Sequence, residues 1–131
     1  MTLEQFTSLS DDELNRLAAE KVMRWDYREE VCQDYPYQGE TLRNWIDQSG
    51  KCQSAAADWS PALDRVQSGW LLKAMAKRGA QIDVRFGEPD GSVDVWSADR
   101  KEPLVVPGND ARAETLAALL VAFAMEGKDN A

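Results

Sequence analysis

An α+β fold, with a three-stranded antiparallel meander packed against three helices in a sandwich-like arrangement, is what this sequence predicts. Three observations carry it. Residues 9–25 form an amphipathic run with its own helix-start signal, and residues 81–106 alternate apolar and polar side chains in short runs broken by turns. Residues 109–124 form an alanine-rich run that follows Pro107-Gly108. At 131 residues the chain has the length of one domain, enough to bury a core without a metal or disulfide staple.

The first helix is expected over about 11–25. Ser10 and Glu13 have the spacing of a capping box, and Leu9 and Leu14 that of a hydrophobic staple. Leu14, Leu17, Ala18, Val22 and Trp25 then share one face. Periodicity is lost over about 26–44, a tyrosine-rich, acidic insert with Pro36 and Gly39 that reads as a long ordered loop. Trp45-Ile46, the turn signal Asp47-Gln48-Ser49-Gly50 and a return through Cys52 suggest an additional short hairpin.

The second helix is expected to start at Ser60, a good N-cap, with Pro61 at its first position, where a missing N–H costs nothing. Its core stripe is expected to be Leu63, Val66, Trp70 and Ala74, widened by Leu71 and Met75, with Gly79 as the stop. Ile82, Val84 and Phe86 alternate with polar residues, Gly87–Gly91 makes a turn, and Val93 and Val95 continue the pattern. A second polar turn at 99–102 leads to Leu104-Val105-Val106, completing the meander. Asn109 or Asp110 caps the last helix. Its core face is expected to be Ala113, Leu116, Ala117, Leu120 and Ala124, with Gly127 ending it and a frayed tail beyond.

Composition narrows the function. The formal charge of −8 and the lack of any Lys/Arg-rich run argue against direct contact with nucleic acid or an anionic membrane. No apolar run approaches a bilayer-spanning length, the N-terminus lacks a signal-peptide pattern, and the two cysteines imply no disulfide framework. A cytoplasmic protein, in the host cytoplasm if phage-borne, is expected. Histidine is absent, which removes the commonest general base and zinc ligand and lowers the expectation of enzyme activity.

No motif assembles a catalytic constellation. Asp11-Asp12-Glu13 is what a helix N-terminus favours. Asp90, Ser92 and Asp94 open like a calcium loop, but Val95 and Lys101 stand where glycine and glutamate are required. Cys32 and Cys52 lack zinc-site spacing and histidine partners. Neither a phosphate-binding loop nor a nucleophile elbow is present. No cofactor is expected. Trp25, Trp59 and Trp70 read as core. Trp45 and Trp96 are expected to be mostly buried, although an exposed one would be a contact residue.

The residues Glu13-Leu14-Asn15-Arg16-Leu17-Ala18-Ala19-Glu20-Lys21-Val22-Met23, Trp59-Ser60-Pro61 with Asp64 and Trp70, Val84-Arg85-Phe86-Gly87, and the alanine-rich run 113–124 together resemble the phage ABA-sandwich domain family of small bacteriophage and prophage proteins. The second helix departs from that pattern, with Ser60-Pro61-Ala62 where Ser-Thr-Asp is favoured, and the 26–40 insert is longer. The resemblance implies a phage-derived α/β sandwich and transfers no catalytic residues.

The candidate binding set is Tyr27, Glu29, Glu30, Asp34, Tyr35, Tyr37 and Trp45. Tyrosines offer large rigid contact area with few rotatable bonds, and carboxylates beside them steer toward a cationic partner. The expectation is a non-catalytic, phage-encoded acidic protein. It would bind a host protein with a basic surface and inhibit a nucleic-acid-binding or defence complex, in the manner of an anti-CRISPR or a nucleic-acid mimic. The alternatives are a nucleotide- or small-molecule-binding domain and an accessory phage protein without a host target. The broad apolar face of the last helix leaves a homodimer open.

Overall fold

The computed structural model describes residues 2–85, 91–96 and 102–129. The order of elements is α1 (Leu3–Thr7), α2 (Asp11–Leu17) running into a π-helical turn (Ala18–Val22), and then β1 (Asp26–Val31), β2 (Thr41–Ile46) and β3 (Cys52–Ala55). A 3-10 turn (Ala56–Asp58), α3 (Arg65–Lys77), β4 (Gln81–Arg85), β5 (Ser92–Trp96), β6 (Leu104–Pro107) and α4 (Ala111–Asp129) follow. The strands form two antiparallel sheets, β1-β2-β3 and β4-β5-β6. The expected meander is the second sheet. The expected short hairpin is half of a first sheet, and a fourth, short helix precedes the three that were expected.

That extra helix has the complete capping box. The Thr2 hydroxyl accepts from Gln5 N–H at 3.2 Å while Thr2 N–H donates to Gln5 Oε1 at 2.7 Å. At Ser10 only half of the box forms. Glu13 N–H donates to Ser10 Oγ at 3.2 Å, and the Glu13 carboxylate does not return the bond. The first helix also stops short of Trp25. Met23 N–H reaches back five residues to Ala18 O, and Trp25 N–H reaches six to Ala19 O. This wide turn lets adjacent Ala18 and Ala19 both face inward with Val22. It delivers Trp25 edge-on to Trp59, with ring centroids 4.7 Å apart.

α3 begins one turn later than the Ser60-Pro61 signal suggests. Ser60 O accepts from Leu63 and Asp64 N–H, closing a separate turn, and the Asp64 carboxylate caps Val66 and Gln67 N–H at 2.9 and 3.2 Å. Its buried side is Ser68, Leu71 and Met75. Leu63, Val66 and Trp70, three members of the expected core stripe, are instead exposed, with Trp70 at 48% and Leu63 at 71%. The face is rotated because Ser68 points inward to a buried carboxylate. Its hydroxyl donates to Glu114 Oε2 at 2.7 Å, and Arg65 Nη2 lies 3.3 Å from Glu114 Oε1.

α4 is the central element. Asp110 caps it by accepting Ala113 N–H at 2.8 Å. From Ala113 to Ala122 every residue except half-buried Leu120 is buried, while Ala124, expected on the core face, is exposed. Apart from Glu114 and Thr115 the buried run is apolar around the whole helix, as befits an element inside a fold. α3, the π turn, β5 and β6 all pack against this one, as do α1 and α2. It runs through Gly127 to Asp129 rather than stopping at the glycine. In the second sheet, Val93, Val95 and Val106 face the core, and buried Asp94 is held by Arg85 Nε at 2.8 Å and Ser92 Oγ at 2.9 Å. Phe86, the 87–90 part of its first turn, the 97–101 part of its second, and with them Asp90 and Lys101 lie outside the described residues. Trp96 is half-buried. Among the described residues no helix is long and apolar enough to cross a membrane.

Two words of the resembling pattern meet in space. The Asn15 carbonyl accepts the Trp59 indole N–H at 2.8 Å, its side-chain Oδ1 accepts Ala62 N–H at 2.9 Å, and its Nδ2 donates to Ser60 Oγ at 3.3 Å. This clasp ties α2 to the segment that leads into α3. Its role is structural.

Candidate functional site: an exposed tyrosine hairpin

The 26–44 insert is not a loop. It is an antiparallel hairpin in register from Asp26 opposite Ile46 to Val31 opposite Thr41. β3 pairs with β2 only from Asn44 to Ile46, so β1 and the first half of β2 project beyond the third strand as a two-stranded arm. All of β1 is exposed, and so is every tip residue from Gln33 to Glu40. The base is anchored where Trp45 and Ile46 turn into the core.

Residues directly opposite each other share a face. One face has Tyr27 with Trp45, Glu29 with Arg43, and Val31 with Thr41; the other has Asp26 with Ile46, Arg28 with Asn44, and Glu30 with Leu42. Tyr27 stands edge-on to Trp45 at 5.4 Å between centroids. Its hydroxyl donates to Glu29 Oε1 at 2.8 Å, and Arg43 Nε lies 3.2 Å from the same oxygen. The Tyr27 and Arg43 hydrogen bonds hold the Glu29 carboxyl below its ordinary range. The same carboxylate pushes the Tyr27 phenol up.

The tip is folded, not merely extended. Cys32 N–H donates to Glu40 O at 2.8 Å, Gly39 N–H to Cys32 O at 2.9 Å, and Tyr37 N–H to Asp34 O at 3.1 Å. Gly39 has φ +88°, a left-handed conformation that glycine adopts without strain. The Tyr35–Pro36 peptide is cis. Tyr35 is 92% exposed and Tyr37 58%. Glu30, Asp34 and Glu40 are exposed beside them, and none of these carboxylates forms an ion pair among the described residues.

The candidate set therefore divides. Tyr35, Tyr37, Asp34 and Glu30 are on open surface, while Tyr27 and Glu29 are half engaged within the hairpin. Trp45, at 4% exposure, lies beneath Tyr27 as part of the core and is no surface contact. The carboxylates form no unbroken row. Arg28 stands between Asp26 and Glu30 on one face, and Arg43 neutralises Glu29 on the other.

Val31 and Leu42 on the arm, Leu63 in the turn before α3, and Val66 and Trp70 on α3 are exposed apolar residues that periodicity did not mark as exposed. Leu63, Val66 and Trp70 were hidden by their own spacing, since i, i+3 and i+7 is also the pattern of a core stripe.

Two apolar grooves flank α1. One, of about 420 Å³, lies against Leu104, Val105, Leu120 and Phe123, and the other, of about 490 Å³, against Val106, Pro107 and Leu116. Neither gathers a group of titratable side chains. Among the described residues no set of three or more Cys, Asp or Glu side chains could hold a metal ion. Cys32 and Cys52 are free thiols. No family model, curated protein or solved structure matches this chain.

Proposed function

We propose that this chain is a non-catalytic interaction protein whose tyrosine-bearing hairpin tip binds a basic surface on another protein. The observation that carries this reading is the exposure of Tyr35 and Tyr37 on a projecting tip with Asp34 and Glu40, whose carboxylates form no ion pair among the described residues. Rings of this kind are enriched at binding hot spots, and a tip pre-ordered by its own hydrogen bonds loses less entropy on docking. The broken row of carboxylates favours a tyrosine-led contact over imitation of a phosphate backbone. In keeping with the resemblance to phage sandwich domains, the proposed setting is a phage infection. The proposed target is a host protein that handles nucleic acid or belongs to a defence complex.

The test is comparative capture from bacterial lysate by the wild type and by Tyr35→Ala/Tyr37→Ala. The wild type should recover a basic protein at low salt and lose it as salt rises. The double variant should bind that protein about thirtyfold or more weakly, because truncating a hot-spot ring costs about 2 kcal/mol or more. Equal recovery of the same protein by both would remove the tip from the interface and the proposal with it.

A further inference from the structure

β1 is one of the two outer strands of the first sheet, and its free edge is legible residue by residue. Cys32 turns its N–H and C=O toward the returning chain at Glu40 and Gly39. Bonded and non-bonded positions alternate along an antiparallel pair. Glu30, Arg28 and Asp26 therefore face β2 with their backbone groups. Tyr27, Glu29 and Val31 point theirs outward, away from any strand. An exposed row of this kind invites another strand unless something blunts it. Charge is the usual blunting device, and here it has a particular order.

A second copy of β1, running antiparallel, must set outward-facing residues against outward-facing residues. Three registers keep most of the strand paired. In one, Arg28 meets Arg28 of the second copy. In another, Glu30 meets Glu30. In the third, centred on Glu29, Arg28 lies opposite Glu30 and Tyr27 opposite Val31, and the two-fold axis repeats each pair. Opposite charges and aromatic–β-branched pairs are the favourable cross-strand combinations. The like pair at the centre, Glu29 with Glu29, is already answered within each chain, because Tyr27 Oη and Arg43 Nε hold that carboxylate. Arg28 and Glu30 make no side-chain hydrogen bond or ion pair among the described residues.

We propose that β1 is a self-recognising edge: two copies of this chain join antiparallel about Glu29 into one continuous six-stranded sheet, in the order β3-β2-β1-β1-β2-β3. The pairing covers Tyr27 and Val31, two of the exposed apolar side chains of the arm. It leaves residues 33–40 free, so each dimer presents two tyrosine tips related by the two-fold axis.

Sedimentation of the full chain from micromolar to millimolar concentration tests this. The wild type should approach twice the monomer mass. Arg28→Glu alone, which sets glutamate against Glu30, should weaken association about tenfold or more, and Glu30→Arg alone should do the same. The exchange Arg28→Glu/Glu30→Arg should restore it, since each exchanged side chain again meets its opposite. Val31→Pro removes an outward N–H at an edge position that tolerates proline, and should leave circular dichroism unchanged while abolishing the dimer. A wild type that stays monomeric throughout would overturn the proposal. So would a dimer indifferent to Arg28→Glu and Val31→Pro, or an exchange variant that folds but fails to re-associate.

Discussion

Asp47 shows how one side chain can write a turn. Its carboxylate accepts from Ser49 Oγ at 2.6 Å, Ser49 N–H at 2.9 Å, Lys51 N–H at 3.0 Å and Gln53 Nε2 at 2.5 Å. These bonds, the Ser49 hydroxyl foremost, lower its pKa from 3.8 to about 2. A depressed carboxylate pKa stabilises the turn fully above the unfolded value, and that support is lost as pH falls through about 2. The Ser49 and Lys51 amide shifts should therefore titrate with a midpoint near 2; a midpoint near the ordinary carboxylate value would mean the grip is absent. Because the bonds are local, Asp47-Gln48-Ser49-Gly50 was legible in the sequence. Asn15 was not: its partners lie more than forty residues away, and nothing nearby marks it as buried. Asn15→Ala strands Ala62 N–H in a buried position and should lower unfolding free energy in urea by about 1–3 kcal/mol. Arg24, with φ +59°, is a non-glycine residue in the left-handed region. Arg24→Gly should raise the urea midpoint, by up to about 1 kcal/mol in stability.

α3 tests how far periodicity can be trusted. Its apolar residues suit two overlapping stripes, and the choice between them rests on Ser68 and Glu114, a polar pair on different helices that the pattern does not reveal. Leu63→Ser and Val66→Ser should change stability by no more than about 0.5 kcal/mol, whereas Leu71→Ala should cost about 2–5 kcal/mol. Thermal or urea unfolding of the three variants separates the faces directly. Similar losses for Val66→Ser and Leu71→Ala would return α3 to the orientation expected from sequence. The meander was readable because Ile82, Val84, Val93 and Val95 alternate cleanly. The arm was not, because β1 is exposed on both faces and so shows no apolar alternation. A strand that buries nothing leaves little trace in hydropathy.

The molecule as a whole is divided between a packed body and a thin extension. The body gathers the helices and the second sheet around α4, and cross-element ion pairs consume some of its charge: Arg112 with Asp11, Arg65 with Glu114, and Lys21 with Glu126. The helix-and-meander part of this plan was visible in the sequence. The first sheet and the candidate surface were only half visible: composition marked residues 26–44 as distinctive, while their geometry depends on pairing across a turn. That uneven construction bears on function. An extension held by its own ladder and a Trp45 anchor should open without disturbing the body. In deuterium exchange at concentrations where the chain is monomeric, the amides of β1 should lose protection in minutes or less while those of Leu116–Ala122 persist to the limit of global unfolding. Substitutions along the protruding hairpin would then carry small energetic risk to the rest, leaving it free to diversify while the buried alanine helix of the body stays confined to small side chains.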